Sequence, residues 1–478
     1  MIKDNSQPDQ VTESPCSSIQ DKQGIKYVEE VEKRLPLVFT NYTRDLFGDD
    51  LYQTFLKGMD ETSPISIRLN PFKVSESTHK VNPMLHPQLI PWCEEGYWLD
   101  TRPNFTFDPL LHAGAYYVQE ASSMFLSYVL HQWVNEPVMA LDLCAAPGGK
   151  TTCARTSLPA GSFLLSNEPI GKRAQILAEN VQKFGHEDIL VTNNYPRDYK
   201  KTKLRFDVII ADVPCSGEGM FRKQPDAMDY WHPDYPAQCA GLQREILTDA
   251  IKMLAPGGQL VYSTCTWAPE ENEEIVSWLI EEYELELLPI EKINGMVEGI
   301  GYPETARMYP HRFKGEGQFV AKFLYKGEPE VKKIKEGRSN LTAEQKKLWQ
   351  AFAKDCLAID LEGLYQCFGD QLYLLPVGLP DLKKVKIARN GLHLGTFKKN
   401  RFEPSFALGL ALKPDQVKKS VSLSDPDFMK YVAGETIQLD QDYPNGWYQV
   451  LVGGNGLGFA KVTGRTLKNF FPKGLRFR

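Results

Sequence analysis

Apolar positions along the chain follow two patterns, and the change between them marks a change of structure. Over residues 27–110 helical and alternating patterns are mixed: 27–37 has the spacing of an amphipathic helix, and 66–71 reads as a strand that ends in a turn. From residue 138 onward, short apolar runs alternate with helical spacing, which is typical of a parallel sheet with helices between its strands. The runs that we expect as strands are 138–143, 163–168, 189–191, 206–212, 259–265 and 318–324, and the apolar spacing over 242–254 predicts an amphipathic helix.

The C-terminal third has a different pattern. A charged stretch over 327–339 predicts a linker, and Thr342 with Gln345 predicts a capping box at the start of a helix. Glycine-rich, β-prone segments such as 450–454 and 456–460 follow and predict a small β-rich domain. We therefore expect an α/β protein with five regions, which are a disordered tail over 1–26, an N-terminal α/β extension over 27–110, an α/β domain over 111–326, a linker region over 327–388 and a β-rich domain over 389–478.

The composition is that of a globular protein that can bury several cores. The chain has 478 residues, of which 42% are hydrophobic and 24% charged. No run approaches the roughly 18 consecutive apolar residues of a membrane span, and residues 1–26 have neither a signal-peptide nor a transit-peptide pattern. The nine cysteines are scattered, without a CxxC pair or a nearby histidine cluster, which argues against a disulfide framework and structural zinc. We expect a reducing cytoplasmic compartment, no metal and no membrane association.

Charge is distributed unevenly along the chain. The formal net charge is −6, but residues 383–478 contain 17 Lys and Arg against 7 Asp and Glu, a net of +10, so the remainder carries −16. A basic end on an acidic chain is typical of a module that contacts a polyanion. A basic face that is merely solvated has the same composition, so charge alone leaves both interpretations open.

The loop after the first strand of the expected parallel sheet resembles a ligand-binding turn. Residues 144–151 read Cys-Ala-Ala-Pro-Gly-Gly-Lys-Thr, and such small residues let a ligand approach the backbone at the carboxyl edge of a sheet. The end of the loop also resembles a phosphate-binding P-loop. That motif requires glycine where Cys144 stands, and Pro147 lacks one of the N–H groups that a phosphate cradle needs. The pattern therefore disfavours a P-loop nucleotide hydrolase.

Glu168 lies at the end of the second expected strand of this sheet, 18 residues after Lys150. An acidic residue at this place in a doubly wound fold accepts hydrogen bonds from the hydroxyl pair of a ribose. A solvated glutamate at a strand end is the alternative, and the preceding loop favours ligand binding. These features alone also fit a dinucleotide site.

Two cysteines follow the fourth and fifth expected strands, and their chemistry separates the alternatives. Cys215 lies in Asp212-Val213-Pro214-Cys215, and Cys265 ends Ser263-Thr264-Cys265. C5 of cytosine is a poor nucleophile toward a methyl sulfonium, but a thiolate that adds to C6 turns C5 into a nucleophilic enamine carbon. A carboxyl group such as that of Asp212 would stabilise the adduct near N3 and the exocyclic amine. Methyltransferases that act on amino groups need no such nucleophile, so the paired cysteines favour methylation of carbon.

Three motifs resemble those of the bacterial RNA cytosine-5 methyltransferases. They are residues 142–151, 212–223 (Asp-Val-Pro-Cys-Ser-Gly-Glu-Gly-Met-Phe-Arg-Lys) and 262–274 (Tyr-Ser-Thr-Cys-Thr-Trp-Ala-Pro-Glu-Glu-Asn-Glu-Glu). Residues 114–123 are similar to the segment that precedes the cofactor domain in this family. The chain is most similar to the RsmF branch, which methylates 16S ribosomal RNA, through residues 220–223, 310–312, 315–317, 467–469 and 472–476.

The resemblance implies a fold, a set of site residues and partners. The fold is a Rossmann-like methyltransferase domain over 111–326, with an RNA-binding extension before it and a PUA-like RNA-binding domain over 389–478. Cys265 is implied as the nucleophile, and Cys215 as the residue that assists breakdown of the covalent intermediate, beside Asp212. The implied partner is ribosomal RNA of the small subunit, bound by a monomer. The residues implied to line the S-adenosylmethionine site are Cys144, Ala145, Ala146, Pro147, Gly148, Gly149, Lys150, Glu168 and Asp212.

Two other classes of protein stay in view, together with one departure from the family pattern. A DNA methyltransferase would use the thiol of the Pro-Cys pair, Cys215, and would leave Cys265 unexplained. A non-catalytic assembly factor with the same fold is unsupported, because both cysteines, Asp212 and the loop are present. Some relatives carry an acidic contact to the adenine after the third strand, but here no acid occurs before Asp198, so we assign no residue to that role.

Overall fold

The computed structural model describes residues 30–73, 86–327 and 337–477. The predicted disordered tail and most of the predicted linker lie outside the described residues. The α-helices are α1 (Leu37–Phe47), α2 (Asp49–Asp60), α3 (Pro109–His112), α4 (Phe125–His131), α5 (Gly149–Ser157), α6 (Gly171–Phe184), α7 (Tyr235–Ile251), α8 (Glu273–Glu282), α9 (Ala343–Cys356), α10 (Phe406–Ala411) and α11 (Asp425–Ala433). The strands are β1 (Ile65–Leu69), β2 (Gln88–Leu89), β3 (Gly96–Leu99), β4 (Tyr116–Val118), β5 (Met139–Asp142), β6 (Phe163–Asn167), β7 (Ile189–Thr192), β8 (Phe206–Asp212), β9 (Leu254–Thr264), β10 (Leu285–Leu288), β11 (Val297–Gly299), β12 (Tyr302–Met308), β13 (Gln318–Tyr325), β14 (Leu364–Phe368), β15 (Gln371–Leu375), β16 (Ile387–Arg389), β17 (Leu392–Lys398), β18 (Arg401–Pro404), β19 (Ser420–Ser422), β20 (Ile437–Val452) and β21 (Asn455–Lys468).

A ten-stranded mixed sheet is the centre of the catalytic domain. Its strands run in the order β11-β12-β13-β9-β8-β5-β6-β7-β16, with β10 beside β13. The five strands from β7 to β9 are parallel, and β13 is antiparallel to β9. All six strands expected in this region are present, and the Rossmann-like fold is confirmed.

The parallel strands are buried on both faces, which explains their apolar runs. Because side chains alternate along a strand, Leu141 and Ile209 pack into one core, whereas Ala140 and Val208 pack into the core on the opposite face. One helix differs from its prediction: the apolar pattern over 242–254 belongs to α7, which begins at Tyr235 and ends at Ile251. A proline in the first turn explains the earlier start, since proline is favourable there.

The N-terminal region packs against the carboxyl edge of the large sheet. Its antiparallel sheet has the order β2-β3-β1-β4, and β4 leads directly into residues 119–123. Arg68 on β1 donates to Gln119 (2.9 Å) and to Thr152 on α5 (2.6 Å), and all three residues are buried. This link fixes the segment after β4 beside the loop that precedes α5.

From residue 337 onward, the chain forms two smaller sheets. The predicted capping box of Thr342 and Gln345 is confirmed at the start of α9. The sheet β14-β15-β17-β18 takes strands from both sides of residue 388, and β19-β20-β21 form the second sheet. Strand β16 pairs with β7, so this region also extends the catalytic sheet. Among the described residues, no helix combines the length and the hydrophobicity that crossing a bilayer requires.

Candidate active site

The carboxyl ends of the parallel strands bring the predicted loops to one edge of the sheet. A cavity of about 200 Å³ opens there, between the loop after β5 and the segment after β4. Its lining includes Asp212 but not Glu168. The lining residues are Tyr117, Val118, Gln119, Glu120, Ser123, Cys144, Ala145, Ala146, Pro147, Gly149, Lys150 and Asp212.

The loop after β5 is held tightly against its surroundings. Gly148 has φ +113°, a conformation that favours glycine. A Cβ added at Gly149 would lie 3.3 Å from the ring of Tyr117. Asn180 donates to the carbonyl of Pro147 (2.8 Å), and Arg173 donates to that of Ala146 (3.1 Å). The two glycines therefore allow the loop to form a close-packed wall of the cavity.

Asp142, at the end of β5, stabilises this loop through a hydrogen bond. The hydroxyl of Thr151 donates to its carboxyl group (2.6 Å), and burial raises the pKa of Asp142 to about 7. Its other oxygen has no hydrogen-bond partner among the described residues. The sequence predicts no individual role for Asp142, because nothing beyond its motif distinguishes it from other aspartates at strand ends.

Glu168 lies at the end of β6, outside the cavity lining. It is 1% exposed, accepts a hydrogen bond from the backbone N–H of Ile170 (2.9 Å), and has its second oxygen 3.7 Å from Arg173 Nη1. The side-chain amide of Asn193 donates to the backbone carbonyls of Glu168 (2.8 Å) and Pro169 (2.9 Å). An asparagine therefore holds the backbone here, in the segment where some relatives carry an acid.

Asp212 and Lys150 form an ion pair at the floor of the cavity. Lys150 Nζ lies 3.0 Å from Asp212 Oδ2, and the other carboxylate oxygen accepts from Ser263 (2.7 Å) and Gln318 (3.4 Å). Burial alone would lower the pKa of Lys150, but the neighbouring Asp212 carboxylate raises it above the ordinary value. Lys150 is thus held as an ammonium group, and Asp212 is oriented by three donors.

The two predicted cysteines meet beside this ion pair. The sulfur atoms of Cys215 and Cys265 are 3.1 Å apart, and the backbone N–H of Cys265 donates to the Cys215 sulfur (3.3 Å). Hydrogen bonding to Cys265, together with burial, raises the pKa of the Cys215 thiol well above its ordinary value. Cys215 therefore keeps its proton at neutral pH, and either sulfur can be the hydrogen-bond donor in the pair.

Strand β4 and the segment after it supply cavity residues for which the sequence predicts no individual role. Tyr117, Gln119 and Glu120 line the cavity, and Glu120 accepts hydrogen bonds from the backbone of Ser122 (2.9 Å) and Glu316 (2.9 Å). The similarity of residues 114–123 to the family was the available signal for them.

The described residues contain one group of potential metal ligands, His186, Glu187 and Asp188. They are consecutive, and the imidazole lies 3.9 Å and 3.8 Å from the two carboxylates. Burial lowers the pKa of His186 to about 3, so the imidazole is neutral. These contacts explain the group without an ion, and the expectation that no metal is needed stays a prediction.

Comparison with known proteins identifies relatives along most of the chain. Family models match four successive segments. They are the N-terminal domain of 16S rRNA methyltransferase RsmF over 35–121, 16S rRNA methyltransferase RsmB/F over 128–324, the RsmF rRNA methyltransferase first C-terminal domain over 351–412 and the methyltransferase RsmF PUA domain over 418–477.

Individual relatives agree with these matches. The ribosomal RNA small subunit methyltransferase F of Shewanella sp. (strain MR-4) is 31% identical over 86% of this chain and 90% of its own length. The protein of the same name from Escherichia coli (strain 55989 / EAEC) is 31% identical over 92% of this chain and 96% of its own. Among solved structures, NSun6 from Pyrococcus horikoshii with SFG superposes with a TM-score of 0.54 at 20% identity, covering 62% of this chain and all of that chain, which bears on the fold alone. These matches confirm the resemblance that the motifs indicate.

Proposed function

Because this chain belongs to the RsmF family of 16S rRNA methyltransferases, we propose that it transfers a methyl group to C5 of a cytosine in 16S rRNA. The methyl donor in this proposal is S-adenosylmethionine, and the reaction passes through a covalent bond between the enzyme and the base. The substrate is RNA of the small ribosomal subunit, which places the enzyme in the cytoplasm.

The observation that carries the proposal is the position of the two sulfur atoms. They lie 3.1 Å apart, and Cys265 interacts electrostatically with Lys150 of the Lys150–Asp212 ion pair, whose two residues line the cavity. Methylation of an exocyclic amine needs no thiol, whereas methylation of C5 needs a nucleophile that adds to C6 and a group that assists its departure. Two thiols beside a carboxylate and an ammonium group fit the second reaction.

The residues around the cavity fit the cofactor. Gln119 lines the cavity and has a buried amide nitrogen without a hydrogen-bond partner among the described residues. The carboxylates of Glu120 and Asp212 border the same space, which suits a positively charged sulfonium, and Glu168 at the neighbouring strand end suits a ribose. When bound, S-adenosylmethionine supplies a methyl group on that sulfonium. Residues 144–150, Glu168 and Asp212 would hold it.

In this mechanism Cys265 forms the covalent bond. Its sulfur, as a thiolate, donates an electron pair to C6 of the cytosine, and the electrons of the C5–C6 double bond become available at C5. The Lys150 ammonium group is close enough to Cys265 to interact with it electrostatically. The carboxyl group of Asp212, oriented by Lys150 and Ser263, binds the N3 and amino edge of the base.

Cys215 acts in release. After methylation, C5 carries both a hydrogen and a methyl group. Loss of the C5 proton to a base returns the electron pair of the C–H bond to the C5–C6 double bond, while the C6–S bond breaks and its electrons return to Cys265. The protonated Cys215 thiol lies 3.1 Å from the Cys265 sulfur, so in this proposal it donates a hydrogen bond to the thiolate that departs. Cys215 therefore assists the elimination.

Trapping of the intermediate tests the proposal. Cys215→Ala should still form the bond to RNA and transfer the methyl group, but elimination should stall. An RNA–protein complex should then survive denaturing electrophoresis after incubation with unmodified 16S rRNA and S-adenosylmethionine. Cys265→Ala should abolish methylation and form no complex.

Two controls make the result decisive. The double variant Cys215→Ala/Cys265→Ala should form no complex, and Cys367→Ala, which removes a thiol from β14, should behave as the unmodified protein. A complex trapped by Cys265→Ala but not by Cys215→Ala would reverse the two roles, as in an enzyme that attacks with its Pro-Cys thiol. Absence of any cysteine-dependent complex, with methylation retained, would refute the covalent mechanism.

A further inference from the structure

Two buried carboxyl groups connect the segments that carry the cysteines. We call residues 213–219 the Cys215 segment and residues 264–271 the Cys265 segment. Both leave the carboxyl end of a strand, β8 or β9, where the sheet no longer supplies hydrogen bonds to the backbone. The relative position of the two sulfur atoms must therefore be set by other contacts.

Glu271 belongs to the Cys265 segment but holds the Cys215 segment. It is fully buried, and both of its carboxyl oxygens lie within hydrogen-bond distance of the backbone N–H of Ser216, at 3.2 and 3.0 Å. Ser216 directly follows Cys215. The side-chain amide of Gln243 donates to the same carboxyl group (2.8 Å) and to the carbonyl of Pro214 (3.0 Å), on the other side of the cysteine. The backbone on both sides of Cys215 is thus connected to Glu271.

Glu218 makes the reciprocal connection. It belongs to the Cys215 segment, is 1% exposed and accepts a hydrogen bond from the backbone N–H of Trp267 (3.1 Å), two residues after Cys265. The indole N–H of Trp231 donates to its other oxygen (3.2 Å). The backbone N–H of Gly219 also donates to the carbonyl of Cys265 (2.9 Å). Each cysteine-bearing segment is therefore held by a glutamate from the other.

We propose that Glu271 and Glu218 are positioning residues, Glu271 for Cys215 and Glu218 for Cys265. Neither carboxyl group lines the cavity, so each acts through the backbone that it holds. Each glutamate thus positions the cysteine that is farther from it in sequence. Glu271, which is near Cys265 in sequence, controls release through Cys215, and Glu218, which is near Cys215, controls attack through Cys265. The assignment rests on the proposed function, in which Cys265 attacks and Cys215 assists release.

The crossed arrangement predicts different defects for the two alanine variants. Loss of Glu271 lets the backbone beside Cys215 move, so elimination should slow and the covalent RNA complex should accumulate. Loss of Glu218 frees the backbone beside Cys265, so the bond to C6 should form more slowly and no complex should accumulate. A displacement of about 1 Å at a reacting group costs up to about a hundredfold in rate, so we expect each affected step to slow by about ten- to a hundredfold.

The experiment measures the two steps separately in single-turnover reactions of the full-length protein with unmodified 16S rRNA and S-adenosylmethionine. Complex formation is followed by denaturing electrophoresis in the Cys215→Ala background, where release is stalled. There Glu218→Ala should slow formation and Glu271→Ala should leave its rate within about twofold. In the protein with both cysteines, Glu271→Ala alone should accumulate the complex.

Matched variants separate positioning from folding. Burial raises the pKa of Glu271 to about 8 and that of Glu218 to about 7, and glutamine keeps one oxygen that can accept the same backbone N–H. Glu271→Gln and Glu218→Gln should therefore recover most of the affected rate. Glu316→Gln alters another buried glutamate, paired with Arg222 at 2.9 Å outside both segments, and should not slow one step selectively. Cofactor affinity measured by calorimetry should be equal in all variants.

Equal slowing of both steps by both alanine variants, or defects that follow the order of the sequence, would overturn the inference. Failure of Cys215→Ala itself to trap RNA would instead refute the proposed function, so the two failures are distinguishable. If an alanine variant does not fold, as shown by loss of cofactor binding, Glu271→Asp and Glu218→Asp carry the test, because they keep a carboxyl group but draw it back from the backbone N–H, and they should show the same selective defects. The inference would also be overturned if an alanine variant folds and carries out the affected step at the rate of the unmodified protein.

Discussion

The role of Glu168 in cofactor binding can be tested by removing its carboxylate in two ways. In the structure this side chain is 1% exposed, and one of its oxygens accepts the backbone N–H of Ile170 at 2.9 Å. The other oxygen lies 3.7 Å from Arg173 Nη1, which is longer than a hydrogen bond. One oxygen is therefore available for a ribose hydroxyl, which limits the expected loss to a single charge-assisted hydrogen bond.

The magnitude follows from that geometry. A hydrogen bond to a charged group contributes about 1.5–3 kcal/mol, so Glu168→Ala should weaken S-adenosylmethionine binding by about 10- to 150-fold in Kd. Glu168→Gln keeps an oxygen for Ile170 and removes the charge, so its loss should be smaller, at about 1 kcal/mol or about fivefold. Alanine also leaves the N–H of Ile170 without its partner and should lower the free energy of unfolding by about 1 kcal/mol.

Isothermal titration calorimetry with S-adenosylmethionine measures both affinities, and urea unfolding measures the stability change. Arg173→Ala is a useful comparison, because this residue contacts both Glu168 and the carbonyl of Ala146. A Glu168→Gln protein that binds the cofactor as tightly as the unmodified protein would refute the assignment. An alanine variant that loses stability but no affinity for the cofactor would show that the carboxylate only stabilises the turn that contains Ile170.

Three further outcomes are expected from other parts of the molecule. If the basic C-terminal region contacts RNA phosphates, replacing the exposed Lys461 and Lys468 with alanine should flatten the plot of log affinity for 16S rRNA against log salt by up to about 0.7–0.9 per lost contact. An unchanged slope would mean that these charges are only solvated. The buried Glu273 carboxylate lies 2.7 Å from Arg307 Nε. Arg307→Met would leave this carboxylate without its ion-pair partner, so the free energy of unfolding in urea should fall by about 3–5 kcal/mol. A loss below about 1 kcal/mol would contradict this. Burial lowers the pKa of His393 to about 4, so between about pH 6.5 and 4 the unfolded chain binds a proton at this residue that the folded state does not bind. The free energy of unfolding should therefore fall as the pH drops from about 6.5 to 4. His393→Gln should reduce that pH dependence, and a pH profile identical to that of the unmodified protein would argue against this role.

Much of the catalytic sheet was predictable because its strands are buried on both faces. Such strands require continuous apolar runs, and the runs over 138–143 and 206–212 end where β5 and β8 end. The capping box at Thr342 was predictable for a local reason, since both of its hydrogen bonds lie within three residues. The start of α7 was placed seven residues late, because the first turns of that helix lack the apolar spacing on which the prediction depended.

The placement of Cys215 and Cys265 near each other also followed from the sequence, because parallel strands present their carboxyl ends at one edge of a sheet. The contacts that set their separation did not. Glu271 and Ser216 are 55 residues apart in the chain, and Glu218 and Trp267 are 49 apart. No local pattern connects such pairs, since a buried carboxyl group and its partner N–H are brought together only when both loops pack.

The sequence by itself therefore determined the elements, the residue types at the strand ends and the family, because periodicity, turn residues and motifs each involve only a few neighbouring residues. Tertiary structure alone decided which side chains complete the site. Strand β4 and the segment after it form one wall of the cavity, where Tyr117 on β4 packs against Gly149, and β16 joins the catalytic sheet by pairing with β7. These contacts join parts of the chain that are far apart in sequence. Their geometry depends on close packing of the whole interior, which no single segment encodes.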